Sequence, residues 1–167
     1  MRRTILSCVA VAMLALVTIH ATANGPVQWH QFTGGYEKAK REHKPVVVDF
    51  YADWCHWCKV MDRQTFTVPK IANSLNREYV AIRVDMKSSA PVRYRGRSFS
   101  PSDFASMMGV KGLPTVIFMD KSGEVVTRLP GFVRAETFQA LLGYIRDECY
   151  NTQISFRDYM GGKVNCK

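Results

Sequence analysis

The fold is decided by residues 44–59, which read Lys-Pro-Val-Val-Val-Asp-Phe-Tyr-Ala-Asp-Trp-Cys-His-Trp-Cys-Lys. The apolar, β-branched first half predicts a buried strand over Val46–Tyr51. The chain then turns, passes Cys55 and Cys58, and continues with an amphipathic helical pattern from Trp57 to Arg77. Two cysteines therefore lie where a strand ends and a helix begins, which is where chemistry collects in open α/β sheets.

This position predicts thiol chemistry. Cys55 is placed at the helix start, where unpaired N–H groups and the positive end of the helix dipole favour a thiolate. Its pKa should be lowered, which makes it the attacking nucleophile in thiol–disulfide exchange. Cys58, one turn later, should be more buried and resolve the mixed disulfide. His56 either favours the Cys55 thiolate when protonated or is a solvated side chain.

A Cys-x-x-Cys pair is also typical of half a zinc site. A structural zinc needs about four ligands, but His30 and His43 are far apart in sequence and His56 lies inside the motif. Haem attachment requires a histidine directly after the second cysteine, where this chain has Lys59. We therefore predict no metal and no cofactor other than a redox-active disulfide. A binding or chaperone module that holds copper or zinc stays open as an alternative.

Several motifs together resemble the thioredoxin superfamily. They are Tyr-Ala-Asp-Trp-Cys-x-x-Cys-Lys at 51–59, Thr65-Phe66, Gly112-Leu113-Pro114-Thr115 and Gly131-Phe132. The residues of these motifs resemble in particular those of the C-terminal thioredoxin domain of DsbD, a transmembrane thiol reductant conductor, and of exported thioredoxins of the SoxW type. The likeness covers roughly residues 36–148 and implies an α/β thioredoxin fold. That fold has a central four- to five-stranded mixed sheet with helices on both faces.

The resemblance assigns roles to two acids. Asp49 corresponds to the buried proton acceptor for the resolving cysteine. Asp62 lies one turn beyond Cys58, where the DsbD-type domain also has an acid, and the alternative is an exposed helix residue. Two acids near two thiols would couple their titrations. The lysine that thioredoxins often place beside the buried acid falls on Ala81 here, which leaves the partner of Asp49 open.

The resemblance also implies a docking surface for a substrate chain. Proline is acceptable at the first residue of a strand, and in the superfamily the proline at the position of Pro114 is cis. The residue before it, Leu113, would offer its backbone to the substrate. Trp54 is expected to contribute to an apolar docking rim, as aromatic residues do at interfaces. Trp57 is undecided between that rim and internal packing.

The N-terminus predicts export. Residues 1–23 contain a charged Arg2-Arg3, an apolar stretch from Ile5 to Ile19 and a small-residue cleavage site at Ala21-Thr22-Ala23, the pattern of a signal peptide cleaved after Ala23. The alternative is an uncleaved membrane anchor, although the apolar run is short for a span. We therefore expect a periplasmic protein with a thioredoxin-like domain at 24–148 and a C-terminal tail at 149–167.

The chain is basic, with 23 Lys and Arg against 14 Asp and Glu. A basic surface attracts acidic partners. Nucleic acid is not expected, because the only dense basic cluster (Arg93, Arg95 and Arg97) has few aromatic neighbours. This cluster belongs to residues 86–101, which read as a loop that is either a tolerated insertion or functional. We expect a monomer.

Four cysteines remain after the predicted cleavage, and an oxidising compartment permits disulfides. Their spacing suggests the pairs Cys55–Cys58 and Cys149–Cys166. The second pair would pin the tail structurally. The alternative is a second redox pair that relays electrons to or from Cys55.

These observations favour an exported thiol:disulfide oxidoreductase that reduces disulfides in protein clients. By resemblance, its electrons would come from a membrane thiol reductant of the DsbD or CcdA type. A periplasmic disulfide oxidant or isomerase is the alternative within redox chemistry, and the metal-binding or chaperone module is the non-enzymatic one.

Overall fold

The computed structural model describes residues 25–162 and residue 166, so the predicted signal peptide lies outside the described residues. The described residues form seven strands: β1 (His30–Gln31), β2 (Val46–Tyr51), β3 (Val80–Asp85), β4 (Val92–Tyr94), β5 (Arg97–Phe99), β6 (Thr115–Met119) and β7 (Val125–Pro130). The same part of the chain contains six α-helices: α1 (Phe32–Glu42), α2 (His56–Met61), α3 (Pro69–Glu78), α4 (Pro101–Met107), α5 (Ala135–Arg146) and α6 (Phe156–Met160). Among the described residues, no helix has the length and apolar character needed to cross a membrane.

Five strands form the central sheet in the order β1, β3, β2, β6, β7. The first three run parallel, whereas β6 is antiparallel to both β2 and β7. Side chains alternate between the faces of a strand: Val46, Val48 and Phe50 pack on the α1 and α4 side, and Val47 packs on the α3 and α5 side. The mixed sheet with helices on both faces, predicted from the sequence, is confirmed.

The helix that follows the cysteines is not continuous, although its periodicity predicts one helix over residues 57–77. It is divided into α2, a π-helical turn over Asp62–Phe66, and α3. The helix restarts at Pro69 because proline lacks an N–H group and fits the first turn of a helix but not its interior. The division matters for function, since it places Asp62 at the end of the short helix that carries the cysteines.

Helix α1 begins earlier than the sequence predicts. Its glycines read as a break before a helix over Tyr36–His43, but both Gly34 and Gly35 lie inside α1. A Cβ atom on Gly35 would be 2.6 Å from Cγ1 of Ile82 in β3. Glycine at position 35 therefore allows the helix to pack closely on the sheet.

Residues 86–101 are ordered rather than a plain loop. They contain the hairpin β4–β5, whose turn uses Arg95 and Gly96, both with positive φ. Such two-residue turns match the twist of paired strands. Tyr94 is buried and its ring contacts Phe32 and Phe104, so the hairpin forms part of the core on the α1 side.

The tail packs against the last long helix. The Tyr144 ring of α5 contacts Phe156 and Tyr159, and the Tyr144 hydroxyl donates a hydrogen bond to the carbonyl of Ile154. A disulfide joins Cys149, which is fully buried, to Cys166.

Candidate active site

The two motif cysteines form a disulfide at the start of α2. Cys55 is the N-cap residue of α2, and its Cα lies 5.3 Å from that of Cys58. The backbone N–H of Cys58 donates a hydrogen bond to the Cys55 Sγ over 3.1 Å. After reduction the same N–H group and the helix N-terminus would stabilise a Cys55 thiolate.

Burial does not distinguish the two cysteines. Each is 5% exposed, so the expectation that Cys58 is the more buried residue is wrong for the disulfide form. Both pack with Ala52, and the hydrophobic side chains of Tyr51, Met86 and Leu113 pack against this small cluster. The two sulfurs differ instead in their position, because Cys55 is the N-cap residue of α2 and Cys58 lies inside the helix.

Asp49 is buried in β2, with 2% of its surface exposed. Its Oδ2 accepts a hydrogen bond from the Arg83 Nε over 3.0 Å, whereas its buried Oδ1 has no partner among the described residues. The pKa of Asp49 is raised to about 6, mainly because the carboxyl is buried; the Arg83 guanidinium lowers this pKa and the Asp62 carboxylate raises it. An acid with such a pKa suits proton exchange near neutral pH.

Arg83 is the site residue that sequence reasoning missed. It pairs in register with Asp49 across β2 and β3, and its guanidinium binds both Asp49 and Asp62. Ala81, where the resemblance places a cation, is buried in the apolar core. Alternate residues share one face of a strand, so Arg83 lies on the same face two residues later. The two-residue offset between Ala81 and Arg83 was therefore the sequence signal that could have identified Arg83 as the partner of Asp49.

Asp62 is brought to the same site. It is the first residue of the π-helical turn, its side chain is 39% exposed, and it pairs with Arg83. The turn is also held by Thr65, whose buried hydroxyl donates a hydrogen bond to the carbonyl of Val133 over 2.7 Å. Single π-turns within helices occur frequently at functional sites.

The loop before β6 lies beside the cysteines. The Leu113–Pro114 peptide bond is cis, and Leu113 packs on the cysteine cluster. Two hydrogen bonds hold this loop: the Thr115 hydroxyl donates to the carbonyl of Gly112, and the N–H of Gly131 donates to the carbonyl of Pro114. The loop is therefore tied to the end of β7.

The surface around the disulfide is aromatic. Trp54 and Trp57 are 65% and 55% exposed, and the Trp57 ring lies 5.9 Å from that of Phe132. His56 is exposed and its ring meets Trp57 edge to face. Trp57, which the sequence left undecided, is thus a surface residue with one packed side. In the part of the chain that is described, no group of three or more His, Cys, Asp or Glu side chains could hold a metal ion.

Comparison with known proteins agrees with this geometry. The family model described as a thioredoxin-like domain matches residues 35–146. Among curated relatives, the thiol:disulfide interchange protein DsbD of Photorhabdus laumondii is 29% identical over 108 residues, which are 64% of this chain and 17% of that protein. DsbD of Haemophilus ducreyi is 37% identical over 102 residues, 59% of this chain and 16% of that protein. The chain thus spans only a small part of these relatives' length.

Solved structures include the reduced C-terminal domain of DsbD from Neisseria meningitidis, with a TM-score of 0.55 and 29% identity over 67% of this chain and 91% of that one. A thioredoxin-fold protein from Helicobacter pylori has a TM-score of 0.67 at 20% identity, covering 73% of this chain and 85% of that one, which supports the fold alone. The chain therefore belongs to the thioredoxin-like family, as a thioredoxin-fold homologue of thiol:disulfide oxidoreductases whose Cys-x-x-Cys pair is joined in a disulfide.

Proposed function

We propose that this protein reduces disulfides in client proteins through Cys55 and Cys58. The Cys55 thiolate attacks one sulfur of the client disulfide, which forms a mixed disulfide and releases the first client thiolate. Cys58 then gives its proton to Asp49 and attacks the Cys55 Sγ, which releases the second client thiolate. The client gains two electrons and the enzyme is left with the Cys55–Cys58 disulfide. The observation that carries this proposal is the Cys55 N-cap, where the Cys58 N–H donates to sulfur.

The electron donor is proposed from the relatives. Those named above are thiol:disulfide interchange proteins called DsbD, and the predicted signal peptide favours a periplasmic location. A membrane thiol reductant of the DsbD or CcdA type would then convert the Cys55–Cys58 disulfide back to the dithiol. No cofactor is needed for this cycle, and a monomer is sufficient for it.

Client docking is proposed at the aromatic surface. An extended client segment would lie against the cis peptide of Leu113 and Pro114, with Trp54 as the apolar rim. This arrangement is supported by the contact of Leu113 with the cysteine cluster and by the exposure of Trp54. Exposed aromatic residues next to a reactive group are typical of interface anchors.

The reduction potential of the pair tests the direction of the reaction. The protein would be equilibrated with glutathione buffers of known ratio, and the reduced fraction measured by alkylation and mass. A value near that of thioredoxin, about −270 mV, supports a reductase. A value near that of DsbA, about −120 mV, would instead favour the oxidant or isomerase reading.

A further inference from the structure

A cleft of about 430 Å³ lies beside the redox pair, where β3 ends. Its lining includes Tyr51, which packs on the cysteine cluster, and Asp85, the last residue of β3. Strands β2 and β3 run parallel, so the cleft and Cys55 lie at the same edge of the sheet. The Leu113–Pro114 loop precedes β6, on the other side of β2 from β3. The cleft is therefore separate from the docking surface proposed at the cis peptide bond.

The segment between β3 and α4 forms one wall of this cleft. Ala90 and Pro91 line the wall. The hairpin that follows is attached to the start of α1, because the N–H of Arg93 donates a hydrogen bond over 3.1 Å to the hydroxyl of Thr33, which also lines the cleft. At its other end the segment is held by Met86, which packs against the cysteine cluster. The wall is therefore fixed both to α1 and to the redox pair.

The lining of the cleft suits a short stretch of polypeptide. Trp29, Phe32 and Tyr51 supply aromatic surface, whereas Thr33 and Ser88 supply hydroxyl groups. Binding sites commonly combine an apolar lining with a few polar groups that fix orientation. The volume lies at the lower end of the range for ligand pockets, roughly 300–1,000 Å³, which is too small for the face of a folded partner. A few residues of an extended chain fit this space.

The rim of the cleft carries exposed cations. Lys87 lies between the lining residues Asp85 and Ser88, and Arg93 follows the lining residue Val92. Lys87 and Arg93 are both exposed, and neither forms an ion pair with any described residue. Asp85 is an acid in the lining, but its Oδ1 already accepts a hydrogen bond from the N–H of Lys87 over 2.9 Å. The rim therefore favours acidic groups in a chain that enters the cleft.

The two faces of the hairpin separate Arg93 from a second exposed arginine. Val92 and Tyr94 are buried, so Arg93, between them in β4, faces away from the core. Arg97 pairs in register with Tyr94 and therefore lies on the other face, where its guanidinium carbon is 5.0 Å from the ring centre of Phe99. Arg97 is thus a matched control for Arg93, with the same charge on the same hairpin.

We propose that this cleft is a second docking site for the client and that it takes an acidic segment next to the client's reactive cysteine. Lys87 and Arg93 attract the acidic side chains and steer the encounter, while the cleft holds the segment beside Cys55. The proposal rests on the proposed thiol–disulfide exchange and names the class of client. The exchange itself is unchanged: the client disulfide gains two electrons and two protons to become two thiols, and the Cys55–Cys58 dithiol is oxidised to the disulfide.

The charge test uses two peptide disulfides that differ in one segment. Each joins a fluorescent chain to a quenching chain. The fluorescent chain carries either a segment rich in Asp and Glu beside its cysteine or the same segment with Asn and Gln. Reduced protein in excess separates the two chains in a single turnover, and the second-order rate constant is taken from the gain in fluorescence. It is measured at about 0.01 M and about 0.5 M salt, because salt screens exposed charges.

The wild type should reduce the acidic peptide on the order of tenfold faster than the neutral peptide at low salt, and high salt should shrink this ratio. Arg93→Gln should lower the ratio by slowing the acidic peptide alone, and Arg93→Gln combined with Lys87→Gln should bring it close to one. Arg97→Gln should leave the ratio at the wild-type value, because its side chain lies on the other face of the hairpin.

The shape test fills the cleft without changing the charge. Ala90 is exposed and lines the cleft, whereas its exposed neighbour Ser89 does not line it. Ala90→Trp should slow the acidic peptide and spare the neutral one. Ser89→Trp, which adds the same ring one residue away, should change neither rate.

Three results overturn the proposal. They are equal rates for the two peptides in the wild type at low salt, equal effects of Arg93→Gln and Arg97→Gln, and equal effects of Ala90→Trp and Ser89→Trp. Failure of the wild type to reduce either peptide would contradict the proposed function instead. In that case the docking proposal is decided by the fluorescence anisotropy of a labelled acidic peptide without cysteine, which should bind the wild type more tightly than the Ala90→Trp variant.

Discussion

The environment of Asp49 destabilises its ionised carboxylate, which suits proton exchange but costs stability of the fold. It lies in an apolar strand, and burial raises the pKa of its carboxyl to about 6 even though the Arg83 guanidinium is in contact. A structural ion pair would be expected to lower that pKa instead. Perturbed carboxyl groups of this kind concentrate at functional sites. The free energy of unfolding should therefore increase when the negative charge of Asp49 is removed.

Asp49→Asn should stabilise the protein at neutral pH. The folded pKa, about 6, lies above the ordinary value of 3.8, so the contribution of Asp49 to stability is fully present below 3.8 and is lost as the pH rises through 6. At pH 7 the ionised group should cost on the order of 3 kcal/mol. Urea unfolding from pH 4 to pH 8 should show a gain for the variant at pH 7 to 8 that disappears near pH 4.

Asp53→Asn is the control for this experiment, since Asp53 is exposed and only four residues away. Its unfolding free energy should follow that of the wild type at every pH. A destabilised Asp49→Asn at pH 7 would mean that the bond to Arg83 outweighs the cost of burial.

Cys55 should alkylate faster than Cys58 in the reduced protein. The helix N-terminus and the Cys58 N–H stabilise a thiolate at Cys55, which should place its apparent pKa below the free value of about 8.5. Timed iodoacetamide labelling at pH 6 to 9, read by peptide mass, measures both sulfurs in one sample. Equal rates at the two positions would count against the assignment of Cys55 as the nucleophile.

At the scale of elements, the sequence predicted the strands better than the breaks between helices. The strand Val46–Tyr51 was predicted correctly because a continuous β-branched run is a strong local signal. The π-helical turn and the hairpin over residues 92–99 were missed. Both depend on tertiary contacts, such as the Thr65 bond to Val133 and the burial of Tyr94. Arg83 was missed for a related reason, since only the pairing of β2 with β3 shows that it faces Asp49.

Two adjacent glycines in α1 should respond oppositely to alanine. No atom lies within 4 Å of a Cβ built on Gly34, whereas a Cβ on Gly35 would meet Ile82 at 2.6 Å. Gly34→Ala should therefore stabilise by about 0.5–1 kcal/mol through helix propensity. Gly35→Ala should destabilise by about 1–3 kcal/mol through overpacking.

Urea unfolding of the two variants side by side measures this difference, and each serves as the control for the other. Equal effects would show that α1 does not approach β3 as closely as described.

At the scale of the whole molecule, the tail disulfide lies far from the active site. The residues just before α5 contact the active-site region, since Phe132 packs on Trp57. Helix α5 has 12 residues, which span roughly 18 Å, and Cys149 follows its far end. This separation favours a structural bridge over a relay to Cys55. The separation was not visible in the sequence, where the two readings were both open.

Removing the tail disulfide should therefore cost stability and spare activity. Closing a loop of about 18 residues contributes on the order of 3 kcal/mol in the chain-entropy model. The double variant Cys149→Ala, Cys166→Ala should lose about that much free energy of unfolding while its rate of disulfide exchange is unchanged. A redox titration with mass mapping should open Cys55–Cys58 first. Opening of both pairs at one potential would support the relay instead.

The central claim is that Cys55 attacks a client disulfide and Cys58 resolves the product. It is tested most directly by incubating reduced Cys58→Ala with a disulfide-bonded protein substrate and mapping the trapped complex by peptide mass. The account predicts a stable mixed disulfide on Cys55, which forms with neither Cys55→Ala nor the wild type. Failure of Cys58→Ala to trap a complex, or a stable complex formed by Cys55→Ala through Cys58, would contradict it.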